Sequence, residues 1–196
     1  MSISIDPNYA QAHNNLGNVL KDSGRLKEAE ISFQKATSIN TEYVEAHYSL
    51  GIVLFDLGKF EESKMSYLKA IEIDYNFAEA HNNLGNTYSE LDDPNHAIDS
   101  YQNAIEINPD FAEAFNNLGN SLKEIGKLGD AIKAYQKAIT ILPNSPTIYN
   151  NLGNAYKQMN NLNEAVISYT KGLKLINTES LDSLELLNNL GVVLMI

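Results

Sequence analysis

One regular spacing recurs along this chain of 196 residues and restricts its fold more than any other feature. A glycine preceded by Asn-Leu, or once by Ser-Leu, recurs at every 34th position as Gly17, Gly51, Gly85, Gly119 and Gly153. A sixth Asn-Leu-Gly ends at Gly191, four positions later than this spacing requires. A fixed period of roughly 20–50 residues indicates stacked structural repeats.

Three further columns follow each of the first five glycines at constant offsets. The first holds small residues: Ala29, Ser63, Ala97, Ala131 and Ala165. The second is aromatic: Phe33, Tyr67, Tyr101, Tyr135 and Tyr169. The third is small again: Ala36, Ala70, Ala104, Ala138 and Gly172. Small side chains allow helix backbones to approach closely, so these columns indicate tight helix packing.

Each repeat contains two helical patterns separated by a turn. Between Ala78 and Glu90 apolar residues recur every four positions, and the stretch from Asn95 to Ile107 has the same period. The residues between the two patterns tolerate the left-handed conformation that ends a helix: Gly24, Gly58, Asp92, Gly126 and Asn160. Pro109 and Pro143 stop the second helix of their repeats.

A 34-residue helix–turn–helix with Leu-Gly, small, aromatic, small and proline positions resembles the tetratricopeptide repeat (TPR) family. The resemblance implies an all-α, right-handed superhelix (an α-solenoid) of antiparallel helix pairs, with an inner groove lined by the first helix of each repeat. Five complete repeats are predicted: 10–43, 44–77, 78–111, 112–145 and 146–179. The family's usual tryptophan column departs from the pattern and holds His13, His47, His81, Phe115 and Tyr149.

Both ends of the chain resemble cut repeats. Residues 1–9 match the tail of a preceding repeat, and residues 180–196 form an insertion and the lone first helix of a sixth. The four extra positions within 177–183 could lengthen a helix by one turn or form a looser connection. Because repeat arrays normally end in a polar cap, the chain is either a fragment or covers its ends by self-association. Either way we expect an apolar end face for stacking through Leu187, Leu190 and Leu194.

The first helix of each repeat is rich in asparagine on the face opposite the Leu-Gly stripe. Side chains three and four positions apart share a helix face. Four repeats carry the full triplet: Asn14, Asn15, Asn18, Asn82, Asn83, Asn86, Asn116, Asn117, Asn120, Asn150, Asn151 and Asn154. An asparagine amide can bond both the C=O and the N–H of an extended peptide. These twelve residues are the predicted peptide-binding groove.

This pattern is similar to the asparagine ladder in the repeat arm of O-linked N-acetylglucosamine transferases. The resemblance implies that Asn15, Asn83, Asn117 and Asn151 bind the main chain of a peptide. The alternative is that the asparagines descend from repeat duplication and are solvated or bond along the ladder without a ligand.

Repeat 2 breaks the asparagine pattern. Tyr48, Ser49 and Ile52 replace the triplet, and Phe55 follows on the next turn. Tyr48, Ile52 and Phe55 could form an apolar pocket for one anchor side chain. Alternatively, they make a lateral contact or are covered by packing.

The charge balance restricts the partners. Lys and Arg number 14 against 25 Asp and Glu, a net charge of −11, which opposes binding to nucleic acid or to an anionic membrane. Acidic residues also dominate the presumed inner face, so we expect a neutral to basic protein or peptide partner and reject a clamp for acidic chaperone tails. No apolar run approaches the roughly 18 residues of a membrane helix.

No pattern indicates catalysis. The chain has no cysteine, which fits a reducing compartment and the expectation of a cytoplasmic protein. No phosphate-binding loop and no His-Glu-x-x-His motif occurs. His13, His47 and His81 recur at the repeat spacing on helices expected about 8–10 Å apart, too far to share a zinc ion. We therefore expect no enzyme activity, no catalytic residue, no metal and no cofactor.

Three functions remain open. The leading hypothesis is a protein-interaction module that holds an extended peptide along the asparagine-lined groove. The second is the substrate-recruiting arm of a larger enzyme, such as a glycosyltransferase whose catalytic domain lies outside these residues. The third is a self-assembling scaffold whose contacts are its uncapped ends.

Overall fold

The computed structural model describes residues 9–176 and 181–194, and all regular secondary structure in these ranges is α-helical. The eleven helices in these ranges are α1 (Ala10–Asp22), α2 (Leu26–Ile39), α3 (Val44–Asp56), α4 (Phe60–Ile73), α5 (Ala78–Glu90), α6 (Pro94–Ile107), α7 (Ala112–Glu124), α8 (Leu128–Ile141), α9 (Pro146–Gln158), α10 (Leu162–Lys174) and α11 (Leu181–Leu194). None of them combines the length and the apolar character that crossing a membrane requires.

The helices pair in the order of the chain. Odd-numbered helices are the first helices of the repeats, and each of the first five packs against the even-numbered helix that follows it. The chain divides into two compact units, unit 1 ending at Ile107 and unit 2 beginning at Asn108. Within each unit, successive first helices also touch one another. The predicted all-α fold of antiparallel helix pairs is confirmed.

The turn inside each pair has the backbone that the sequence predicts. Asp92 and Asn160 have positive φ angles of 56° and 59°, and the equivalent glycines lie at 72–78°. A backbone hydrogen bond closes the turn in which the chain reverses direction. In repeat 2, for example, the Lys59 amide donates to the Leu54 carbonyl at 2.8 Å. Such bonds satisfy carbonyl groups that the helix end leaves unpaired.

The core of each pair is built on a contact between the glycine and aromatic columns. A Cβ atom added at Gly17 would lie 2.6 Å from the Phe33 ring, and one added at Gly119 would lie 2.5 Å from the Tyr135 ring. Both aromatic side chains are fully buried. The aromatic ring of the second helix therefore lies directly against the bare backbone of the first.

Helix α11 packs against α9 and α10 in unit 2. Its Leu186 and Val193 are buried in a cluster with Ala165 and Tyr169, and Leu190 packs at the edge of that cluster. Leu187, by contrast, is 55% exposed. The side chain of Leu194, the predicted tail of a preceding repeat in residues 1–8 and the connection 177–180 lie outside the described residues.

Candidate functional site

The predicted groove residues lie on the first helices. The twelve asparagines are called the asparagine face below, and they belong to α1 and α5 in unit 1 and to α7 and α9 in unit 2. Most of them are half-buried, while Asn15 is exposed and Asn14, Asn82 and Asn150 are buried. The face therefore mixes accessible amides with amides that the fold encloses.

One set of asparagines bonds to the preceding repeat. The Asn83 Nδ2 atom donates to the Tyr48 hydroxyl at 3.1 Å, and Asn151 Nδ2 donates to Asn116 Oδ1 at 2.9 Å. Asn189 makes the equivalent bond to Asn150 Oδ1 at 2.9 Å. We call each such bond a rung. Two of the four residues expected to bind peptide main chain, Asn83 and Asn151, thus use an amide hydrogen to join first helices.

A second set accepts hydrogen bonds from the aromatic column. The hydroxyls of Tyr101, Tyr135 and Tyr169 each donate at 2.8 Å to the Oδ1 atom of an asparagine on the first helix of the same repeat: Asn86, Asn120 and Asn154. Within the described residues, Asn120 and Asn154 form no other side-chain hydrogen bond. Their Nδ2 groups therefore remain available for a ligand.

Repeat 1 lacks both the rung donor from the next repeat and the tyrosine hydroxyl of its own second helix. Asn14 is 5% exposed, and its Oδ1 atom has no donor among the described residues. The rung spacing would place that donor on residue 49, which is a serine. Asn18 stands opposite Phe33, which has no hydroxyl to donate. The asparagine face is thus less complete in repeat 1 than in repeats 3, 4 and 5.

A cavity of about 160 Å³ opens in unit 1 where repeat 2 departs from the pattern. It is lined by Ile52, Phe55, Asp56, Tyr67, Asn83 and Asn86. Two of the three residues of the predicted apolar pocket, Ile52 and Phe55, are among them. The third, Tyr48, packs beside the cavity, with its ring centre 5.9 Å from that of Tyr67 and 4.5 Å from that of Phe77.

Tyr67 gives this cavity a polar group that the sequence reasoning missed. The side chain is 2% exposed, and Ile52 takes the place that an asparagine acceptor has in repeats 3, 4 and 5. Burial is the main cause that raises the pKa of the Tyr67 hydroxyl above its ordinary value, and hydrogen bonding with Ser63 and Asn83 opposes the shift. The sequence does contain a sign of this group, because Ile52 stands where repeats 3, 4 and 5 have the asparagine that accepts from tyrosine.

Two of the repeated histidines have backbone partners. The Nε2 atoms of His47 and His81 each lie 2.9 Å from the carbonyl oxygen six residues earlier, so the ring N–H donates to it. Burial lowers the pKa of His81 below its ordinary value. No group of three or more His, Asp and Glu side chains within the described residues is arranged to hold a metal ion.

The negative charge is concentrated in unit 1. Residues 1–107 carry 7 Lys and Arg against 17 Asp and Glu, whereas residues 108–196 carry 7 against 8. The net charges are therefore −10 and −1. The three first helices of unit 1 end at Asp22, Asp56 and Glu90, where the helix dipole already places negative partial charge. None of these three carboxylates forms an ion pair within the described residues.

Solved structures of similar fold are known. A crystal structure of MamA protein matches with a TM-score of 0.79 and 28% identity, covering 89% of this chain and 93% of that one. YrrB, described as a TPR protein with an unusual peptide-binding site, matches with a TM-score of 0.77 and 22% identity over 95% and 96% of the two chains. A thermophilic TPR protein of Thermus thermophilus matches with a TM-score of 0.71 and 21% identity over 95% and 100%.

Family models match the sequence along most of its length. The model described as TPR repeat matches residues 17–58, 53–92 and 119–160, together more than half of the chain. Models described as tetratricopeptide repeat match residues 1–31, 78–111, 100–133 and 146–178. A search of curated proteins finds no significant match. With the helix pairs and the glycine–aromatic contacts described above, these matches establish that the chain belongs to the tetratricopeptide repeat family.

Proposed function

We propose that this chain is a protein-interaction module that binds an extended, neutral to basic peptide segment along the asparagine face. The family consists of modules that bind protein partners, and the chain consists of its repeats. We further infer that it acts by binding rather than by catalysis. Recruitment of a substrate for an attached catalytic domain stays a prediction from the resemblance to glycosyltransferase arms.

The available amides of Asn120 and Asn154 are the observation that carries this proposal. The tyrosine bonds hold both side chains by Oδ1, so that each Nδ2 group has a fixed direction before a ligand arrives. A donor that is already positioned loses little conformational entropy on binding. The two asparagines hold the same register on neighbouring first helices, so they present the same group repeatedly to an extended chain.

A display screen of unstructured peptides would test the proposal. The informative variant is Asn120→Asp/Asn154→Asp, because aspartate keeps an oxygen that can accept from the tyrosine while it removes the amide donor. The control is Asn144→Asp/Asn163→Asp, which adds the same charge at exposed positions of unit 2 away from the face. Helical signal and melting temperature would confirm that all three proteins fold.

The expected result is a shared motif enriched by the wild type and by the control and lost in the Asn120/Asn154 variant. Equal enrichment by all three proteins, or no enrichment by any, would contradict a peptide site on these asparagines. The ladder would then be a structural network that joins the first helices.

Self-association through α11 is a second candidate, because this helix leaves apolar side chains uncovered. Leu187 is 55% exposed and Val192 is 44% exposed. We propose that Leu187, Leu190 and Leu194 stack end to end against a second copy. Sedimentation should show a mass that rises with concentration for the wild type and for the control Ile31→Lys, at a 66% exposed apolar residue of α2. Leu187→Lys should remove the rise; a constant wild-type mass would refute the stacking.

A further inference from the structure

The cavity in unit 1 lies where repeat 2 has apolar side chains in place of hydrogen-bonding ones. In repeats 3, 4 and 5 an asparagine oxygen occupies the position beneath the tyrosine hydroxyl, at 2.8 Å in each case. In repeat 2 that position holds Ile52, and space of about 160 Å³ opens beside it. Tyr67 therefore lines the cavity without the acceptor that the other tyrosines have, although it is 2% exposed.

We propose that this cavity receives a lysine or arginine side chain of the bound peptide. The inference rests on the proposed function, because it assigns one specificity pocket to the part of the asparagine face that lies in unit 1. The apolar stem of the basic side chain packs on Ile52 and Phe55, and its charged end pairs with the Asp56 carboxylate.

The lining has the composition that a long basic side chain requires. Lysine and arginine bury an apolar stem and keep a charged head at the polar edge. Ile52, Phe55 and the Tyr67 ring supply apolar wall, and the exposed Asp56 supplies an anion that has no ion pair in the described chain. A cavity of about 150 Å³ accommodates a benzene ring, so the volume here is sufficient for one such stem.

The electrostatics of unit 1 favour a cation over the other possible occupants. Asp56 is the last residue of α3, where the helix dipole disfavours a carboxylate and a bound cation would relieve the repulsion. Asp22 and Glu90 end the neighbouring first helices, and the unit as a whole has a net charge of −10. An acidic side chain would be repelled, and a purely apolar one would leave Asp56 without a partner.

Four fluorescein-labelled peptides would test the assignment. Each has alternating serine and alanine, and they differ only at a central residue, which is lysine, arginine, leucine or glutamate. Fluorescence anisotropy would give their affinities for the wild type. We expect the lysine and arginine peptides to bind about tenfold more tightly than the leucine peptide, as one charge-assisted contact provides.

Two variants and one control locate the effect. Asp56→Asn should abolish the preference for a basic centre and leave the leucine peptide unchanged. Ile52→Asn should also abolish it, because it removes an apolar wall on which the stem packs and restores the acceptor beneath Tyr67. Asp22→Asn removes the same charge at the equivalent end of α1, outside the cavity, and should keep the preference. A helical spectrum and melting curve for each variant would establish folding.

The outcomes separate this inference from the function on which it rests. Equal binding of all four peptides, or a preference that survives Asp56→Asn, would overturn the basic pocket and leave peptide binding standing. An equal loss in Asp22→Asn and Asp56→Asn would also overturn it, since the general charge of unit 1 would then be the cause. Failure of every peptide to bind the wild type would overturn the basic pocket, and the display screen would then decide whether peptide binding stands.

Discussion

At the scale of single residues, the contact between a glycine and an aromatic ring determines how closely two helices of a repeat approach. The ring of Tyr135 occupies the volume that a Cβ atom of residue 119 would need, at 2.5 Å. Both are part of a rigid, fully packed region, so neither side can move away without opening a void elsewhere. Glycine is required here by packing rather than by backbone conformation.

Gly119→Ala should therefore lower the free energy of unfolding by about 2 kcal/mol, the usual cost of overpacking a core. Chemical denaturation monitored by helical signal would measure it. Gly129→Ala is the matched control in the same unit, because nothing lies within 4 Å of its Cβ position and it is inside α8. Because Gly129 is the second residue of α8, that change should raise stability by no more than about 0.5 kcal/mol through helix propensity. A loss of equal size in both variants would contradict the packing explanation.

The unpaired oxygen of Asn14 provides a second test at this scale. Ser49→Asn would place an amide at the position from which Asn83, Asn151 and Asn189 make their rungs. Supplying a donor to a buried acceptor should raise the free energy of unfolding by about 1 kcal/mol. The same substitution in an Asn14→Ala background should have no such effect, and a gain of similar size there would show that the rung is not its source.

At the scale of elements, the helix pairs were predictable because local rules act within each repeat. Asp92 and Asn160 stand where the other repeats have glycine, and both adopt the positive φ that this register requires. The periodicity, the turn residues and the columns all express contacts inside one repeat. When the repeats of one sequence are aligned with each other, these contacts are visible as positions that keep one residue type.

The use of the asparagine side chains was less predictable. The sequence shows that Asn83 and Asn151 share a face, but it does not show that their amide hydrogens bond to the preceding first helix. Whether an amide faces solvent or a neighbour depends on the distance between helices, which column patterns do not contain. For the same reason the sequence does not reveal the role of Tyr67. Its lack of an asparagine acceptor at residue 52 is apparent only once the aromatic column is known to contact that position of the first helix.

Helix α11 should unfold separately from the rest of unit 2. It contacts only α9 and α10 among the described helices, and stability in repeat arrays is a sum of nearest-neighbour terms. Leu186→Ala, at a side chain 1% exposed, should cost about 3 kcal/mol. Hydrogen exchange should accelerate in residues 181–194 while α7 and α8 keep their protection. Uniform acceleration throughout unit 2 would instead indicate a single cooperative unit.

At the scale of the whole molecule, the two units differ in charge far more than in architecture. A net charge of −10 in residues 1–107 gives unit 1 internal repulsion that unit 2, at −1, does not have. Salt screens such repulsion, and the Debye length falls from about 10 Å to about 3 Å between 0.1 and 1 M.

Raising NaCl over that range should therefore slow hydrogen exchange in α3 and α4 several-fold more than in α8 and α9. Mass spectrometry of peptic fragments resolves the two regions in one sample, so unit 2 serves as the internal control. Sodium sulfate would not serve, because it also strengthens apolar burial in both units. Equal slowing in the two units would show that charge repulsion does not limit the stability of unit 1.

The rung spacing has a consequence for changes in copy number. Between repeats of regular length a rung joins residues 35 positions apart, as in Asn116 and Asn151. Deleting residues 44–77 would leave Asn14 and Asn83 with that same separation, so the amide that now reaches Tyr48 would face the oxygen that now lacks a donor. Loss of one repeat would supply a donor to Asn14 and erase the cavity in a single genetic event. On the proposed function, duplication and deletion of repeats would alter ligand specificity as readily as point substitution.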